Sequence, residues 1–164
     1  MSGSARPEAL ARLDVFVGDW QVEASFPGVA AWGPIGSGRA AGPPPLGHSM
    51  FEWILNGSFL MQRTEVPIPV APDSLAIVSA DPDTAGYTQH YYDARGVARL
   101  YAMSLTGGVW RLLRDRADFT PLPFQQRYTG TFSSDQDTIH GAWEKSGDGT
   151  TWEHDFTLTY RRVR

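Results

Sequence analysis

The stretch Trp152–Tyr160 alternates without a break. Trp152, His154, Phe156, Leu158 and Tyr160 fall on one face, and Glu153, Asp155, Thr157 and Thr159 on the other. Period-two alternation of this kind marks an antiparallel strand with one buried face. Trp20–Phe26, at the far end of the chain, alternates in the same way, with Trp20, Val22, Ala24 and Phe26 against Gln21, Glu23 and Ser25. A first strand that pairs with the last turns a sheet into a barrel and removes its edges. Few folds satisfy both ends at once, so this pair of strands constrains the chain most.

The segments between them keep the same rhythm. Asn56-Gly57-Ser58 separates two apolar-aromatic runs, His48–Leu55 and Phe59–Val66, and Asn-Gly at such a place is a strong hairpin signal. Further strands are expected at Ser74–Ala80, Tyr87–Asp93, Val97–Leu105, Val109–Arg114, Phe124–Phe132 and Ile139–Ser146, joined by short Gly-, Pro- and Asp-rich turns. Short connections mean neighbouring antiparallel strands, and so an all-β, up-and-down barrel of about ten strands. Pro7–Leu13 reads as a helical turn with Leu10 and Leu13 on one side, after a loose tail over 1–6. The Pro/Gly-rich stretch 27–47 cannot hold a long regular element and is expected near a barrel mouth. The 164 residues are read as a single β-barrel domain, 1–164.

Composition narrows the partners. Net charge is −4 with no Lys/Arg block, which argues against nucleic acid. No apolar run approaches the ~18 residues of a membrane helix, so no membrane partner is expected. There is no cysteine, and the first residues lack the basic-then-apolar layout of a secretory leader; both fit a cytoplasmic protein.

Gly18-Asp19-Trp20, following a helical turn, resembles the Gly-x-Trp signature of the calycins, the lipocalins and their relatives. In that group the Trp packs at the closed end of the barrel near a basic residue from the last strand, a position that Arg161 or Arg162 would match. Tyr91-Tyr92-Asp93 with Gly96, the run Trp143–Gly149, Trp152 and Thr159-Tyr160-Arg161 are similar to an uncharacterised bacterial calycin-like family, a domain of unknown function. The resemblance implies a small lipocalin-like barrel with an internal cavity and no settled activity. Nitrobindin, a haem-binding barrel, is similar in shape; its glycine-rich first strand is absent here, so haem is not the favoured cofactor.

A small closed barrel either fills its interior or holds one ligand there, so the inward residues are the candidates. His154 shares the apolar face of the last strand. It is either a core histidine satisfied by a neighbouring hydroxyl or a group that meets a ligand or moves a proton. In Tyr87–Asp93 both faces carry aromatics. His90 and Tyr92 make a donor–acceptor pair if they point inward and are surface groups if they do not. An Arg on an apolar face points to an internal anion site, because a buried guanidinium needs a carboxylate, the protein's own or a ligand's. Arg63 (with Phe59, Met61 and Glu65) and Arg114 (with Trp110 and Leu112) fit that description, and both also fit outward arginines with snorkelling stems. The four histidines show no metal-ligand spacing, so no metal site is expected.

Three functions are compatible with these features. The first is a barrel that binds a small, largely apolar molecule with one polar or anionic group. Its lining would be Trp53, Met61, Tyr101, Trp143, His154 and Phe156, with Arg63 or Arg114 on the polar group. The second is a cofactor-free isomerase, cyclase or hydrolase that uses His154, or His90 with Tyr92, as acid or base. The third is a packed barrel that acts as a homodimer or interaction module.

Overall fold

The computed structural model describes residues 6–27, 46–67 and 71–164. Ten antiparallel strands form one closed barrel: β1 (Gly18–Ser25), β2 (Gly47–Ile54), β3 (Phe59–Glu65), β4 (Ser74–Ala80), β5 (Tyr87–Asp93), β6 (Ala98–Thr106), β7 (Val109–Arg114), β8 (Gln125–Phe132), β9 (Thr138–Ser146) and β10 (Glu153–Arg162). Each strand pairs with its neighbours in sequence. β1 closes the ring on β10, with Val22 opposite Tyr160 and Ala24 opposite Leu158. The closure foreseen from the two alternating end strands is the closure observed. Among the described residues, no helix is long and apolar enough to cross a membrane.

One end of the barrel is plugged. A short helix α1 (Glu8–Ala11) runs into a 3₁₀ turn (Arg12–Phe16), and Leu10, Leu13 and Phe16 are buried against the barrel end. Phe16 stacks on Phe51 at 5.2 Å and meets Trp110 edge-on at 4.9 Å. The Trp20 indole N–H donates to the Phe16 carbonyl at 2.8 Å, and the Arg162 guanidinium lies 4.2 Å above the Trp20 ring. Arg162 also donates to the carbonyls of Val17 and Val15 (2.8 and 2.7 Å), which ties the last strand to the plug. Arg162 therefore takes the basic position beside Trp20, while Arg161 turns outward to Glu23. Buried aromatic packing, a satisfied indole and a cation over its face make this the rigid end.

The sidedness of two strands, β10 and β3, departs from the sequence expectation, and in a third, β5, the structure chooses between the two faces that the sequence left open. In β10 the register slips by one residue between His154 and Phe156. Such a bulge reverses the faces on either side of it. Phe156, Leu158 and Tyr160 stay inside, but His154 is exposed and sits opposite Glu144, and Trp152 stacks under Arg127, Glu144's salt-bridge partner, at 4.1 Å. In β3 the inner face is Leu60, Gln62 and Thr64, so Met61 falls on the opposite face and Arg63 is exposed. Two polar residues can face inward because they bond within a cluster: Gln62 donates to the Ser49 hydroxyl at 3.0 Å, and Ser49 and Thr64 hydroxyls lie 2.9 Å apart. In β5 the inner face is Tyr87, Gln89 and Tyr91, which leaves His90 and Tyr92 outside. The expected 27–47 loop lies mostly outside the described residues.

Candidate functional site

The half of the barrel away from the plug is not filled by the described residues. It holds a cavity of about 910 Å³, near the top of the ~300–1,000 Å³ range of small-molecule sites. Its ends are framed by Phe26 and Gly47, which flank the 28–45 segment, and by Val66 and Ala71, which flank 68–70.

The apolar side of the cavity is a run of rings. Trp143 lies 5.6 Å from Tyr101, 5.4 Å from Tyr128 and 6.4 Å from Phe156, and Phe156 stacks on Phe26 at 4.8 Å. The ring of Tyr128 is held against the wall by two glycines paired across β8 and β9, Gly130 and Gly141. A Cβ on Gly141 would stand 2.1 Å from the Tyr128 hydroxyl oxygen, and one on Gly130 would stand 2.7 Å from its ring. Only residues without a side chain leave that trough, a common use of glycine within strands. Trp110, edge-on to Tyr128 at 5.0 Å, forms the floor, and its buried indole N–H has no partner among the described residues.

The opposite wall, from β5, β6 and β8, is polar. Gln126 Oε1 accepts from Arg99 Nη1 at 3.0 Å and from the Tyr101 hydroxyl at 3.2 Å. Arg99 Nε is buried and has no hydrogen-bond partner among the described residues. Gln89 is 3 % exposed and faces the cavity. The Tyr91 hydroxyl donates to Asp93 at 2.9 Å, and burial and that carboxylate push its pKa well up. Burial likewise raises the Tyr101 and Tyr128 phenols and pushes Tyr160 up to about 12. All of these phenols are neutral hydrogen-bonding groups at neutral pH.

Of the side chains singled out in the sequence, Tyr101, Trp143 and Phe156 line the cavity. The others do not. Trp53 is at the plugged end, its indole donating to Asp14 at 2.8 Å under Arg6. Arg114 is buried on the inner side of β7, the first of the two orientations that the sequence allowed, but is used by the protein itself. It makes a two-pronged salt bridge to Asp118, both contacts at 2.8 Å, and donates to the Thr120 and Pro121 carbonyls. The Arg114 hydrogen bonds hold the Asp118 carboxyl well below the usual carboxylate range. Met61, Arg63, His90, Tyr92 and His154 lie off the lining, and among the described residues no histidine reaches it. Nor do the described residues bring together a group of three or more His, Cys, Asp or Glu side chains placed to hold a metal ion.

The polar wall centred on Arg99 and Gln126 went unselected in the sequence. The parity of β6 does place Arg99 beside Tyr101 and Met103 on the inner face. The rule that pointed to Arg63 and Arg114, an arginine on an apolar face, applies to Arg99 as well.

The fold and the cavity together define a class: a closed ten-stranded antiparallel barrel, plugged at one end and hollow at the other. Its architecture is similar to that in the crystal structure of Rv2717c from M. tuberculosis, with a TM-score of 0.57 over 96% of this chain and 98% of that one at 15% identity. That likeness is one of fold alone. No family model matches the chain, and no curated protein sequence matches it.

Proposed function

We propose that the barrel binds a small, largely apolar molecule with one polar or anionic group, held in the cavity between the aromatic run and the Arg99–Gln126 wall. The observation that carries this reading is the cavity itself. About 910 Å³ is kept hollow inside a barrel whose other half is close-packed, although protein interiors ordinarily fill to crystal-like density. The lining combines a broad apolar surface with a few convergent polar groups, the usual make-up of a small-molecule site. Acid–base chemistry through His154, or through His90 with Tyr92, has no support in this geometry, since these side chains point away from the cavity.

The test is a titration with the neutral apolar dye N-phenyl-1-naphthylamine. Saturable one-to-one enhancement of its fluorescence is expected, together with loss of binding in Ala24→Trp, which fills part of the lining. Native mass spectrometry of the protein from its own source should show a mass excess that disappears on denaturation. Absence of saturable dye binding, or binding unchanged in a folded Ala24→Trp variant, would overturn the proposal.

A further inference from the structure

Resting on that reading, we infer that the ligand is a monocarboxylate and that Arg99 receives its carboxylate. Two guanidinium groups line the cavity's polar side, those of Arg95 and Arg99. Arg95 pairs with Asp93 at 2.7 Å, and Arg114, nearby but off the lining, pairs with Asp118 at 2.8 Å. Among the described residues Arg99 pairs with no carboxylate, and its Nη1 donates to the neutral Gln126 amide. The segments outside the described residues, 1–5, 28–45 and 68–70, contain no Asp or Glu. The counter-ion of Arg99 is therefore not hidden elsewhere in the chain.

Desolvating a guanidinium without an anion is expensive. Here the Nε is already buried, and neither Nε nor Nη2 makes a hydrogen bond among the described residues. Nε and Nη2 form one edge of the guanidinium, the fork that takes a carboxylate side-on through two parallel hydrogen bonds. The neighbouring amide adds to it. Both groups bonded to Gln126 Oε1 are donors, which orients that oxygen toward them and leaves Nε2 as a further donor. What the wall lacks is an acceptor with negative charge. Two guanidinium groups on the described lining against the one carboxylate of Asp93 leave a single charge to be met, which fits a monoanion better than a phosphate dianion. From Arg99 the adjoining rings of Tyr101, Trp143 and Phe156 lead along the cavity and would cover the apolar body.

Two matched pairs separate this inference from the cavity reading: dodecanoate with dodecanol, and 2-naphthoate with 2-naphthol. Each is used to displace N-phenyl-1-naphthylamine from the full chain at pH 7.5. At least one acid should bind about tenfold to a hundredfold tighter than its alcohol, the range of hydrogen bonds to a charged partner. In Arg99→Gln that gap, taken as the ratio of acid to alcohol affinity within the same variant, should shrink to within about threefold; Arg99→Lys, which keeps the charge without the fork, should fall between. Equal binding within both pairs, or a gap that persists in Arg99→Gln, overturns the inference and leaves the cavity reading standing. Failure of the dye itself to bind sinks the cavity reading first. The wild-type comparison decides the matter even if Arg99→Gln does not fold.

Discussion

Replacing Asp118 by alanine should be among the most damaging single changes outside the hydrophobic core. The register of β7 on β6 stops at Leu113, opposite Ala102, so Ala98–Tyr101 have no β7 partner, and Asp118 and Thr120 take over that role. The Asp118 carboxylate accepts from the backbone N–H of Leu100 (2.9 Å) and Thr120 (3.0 Å) and from Arg114 Nε and Nη2. The Thr120 hydroxyl bonds both polar groups of the Ala98 backbone. Arg114 and Asp118 side chains are 1% and 2% exposed. Removing one partner of a buried pair costs ~3–5 kcal/mol, because the other charge is stranded. The pair lies at the barrel's end, where water can reach a rearranged guanidinium, so about 3 kcal/mol is expected. At ~2–4 °C per kcal/mol for a chain of this size, the melting temperature should drop by roughly 6–12 °C. Glu23→Ala, which breaks the exposed pair with Arg161, provides the comparison and should cost ~0–1 kcal/mol. The double variant Arg114→Met/Asp118→Ala removes the stranded charge and should be more stable than the sum of its single changes by at least ~1 kcal/mol. The pH dependence has a definite sign. Asp118 is depressed in the folded state, so its contribution is present above the unfolded carboxylate pKa of ~3.9 and is lost as pH falls below it. Urea and thermal unfolding would refute the reasoning if Asp118→Ala cost no more than Glu23→Ala, or if the double variant showed no coupling.

Three further outcomes follow from the same geometry. Gly141→Ala puts a Cβ where the Tyr128 hydroxyl sits, 2.1 Å away; it should destabilise by ~1–3 kcal/mol and weaken dye binding by driving the ring into the cavity, read by urea melts and dye titration. His154→Ala should stay within ±0.5 kcal/mol of wild type, as surface changes do, and leave dye affinity unchanged; a shifted affinity would refute its place outside. Tyr160 is held neutral by burial, with its pKa pushed up to about 12 against an ordinary 10. The folded state therefore loses stability as pH rises from about 10 to 12, and phenolate absorbance should rise together with loss of near-ultraviolet circular dichroism.

The ring of strands was legible because each strand carries its own period and each turn its own chemistry. Trp20–Phe26 and Trp152–Tyr160 announced the closure, and Val22 does face Tyr160. Sidedness was less legible, and each failure has a local cause. One extra residue at the β10 bulge sends His154 outward without disturbing the pattern of hydrophobic letters that suggested the opposite. Gln62 and Thr64 look like surface residues until the hydroxyl of Ser49, on the neighbouring strand, is placed beside them. Tyr87–Asp93 offers two aromatic faces, and only contact with the plug chooses between them: the Tyr87 hydroxyl donates to the Ala9 carbonyl.

The same distinction explains why the arginines could not be ranked from sequence. Arg63, Arg99 and Arg114 each sit in an alternating strand beside apolar residues; the sequence reading singles out Arg63, with Glu65 two residues away, and Arg114, without such a neighbour, and passes over Arg99. Their differences arise entirely from long-range partners. Arg63 is turned out by the register of β3 against β2. Arg114 is neutralised by a carboxylate on the segment that follows its own strand, four residues on, a spacing that in an extended chain gives no hint of contact. Arg99 is left over because β6 outruns β7, so the segment carrying Asp118 spends its carboxylate on Arg114 and on the Leu100 backbone N–H. Among the described residues, the unpaired guanidinium of the cavity wall is thus a consequence of unequal strand lengths. For the same reason Asp118→Ala should raise, not lower, the cavity's preference for an anionic probe over a neutral one, provided that the variant is studied below its melting temperature.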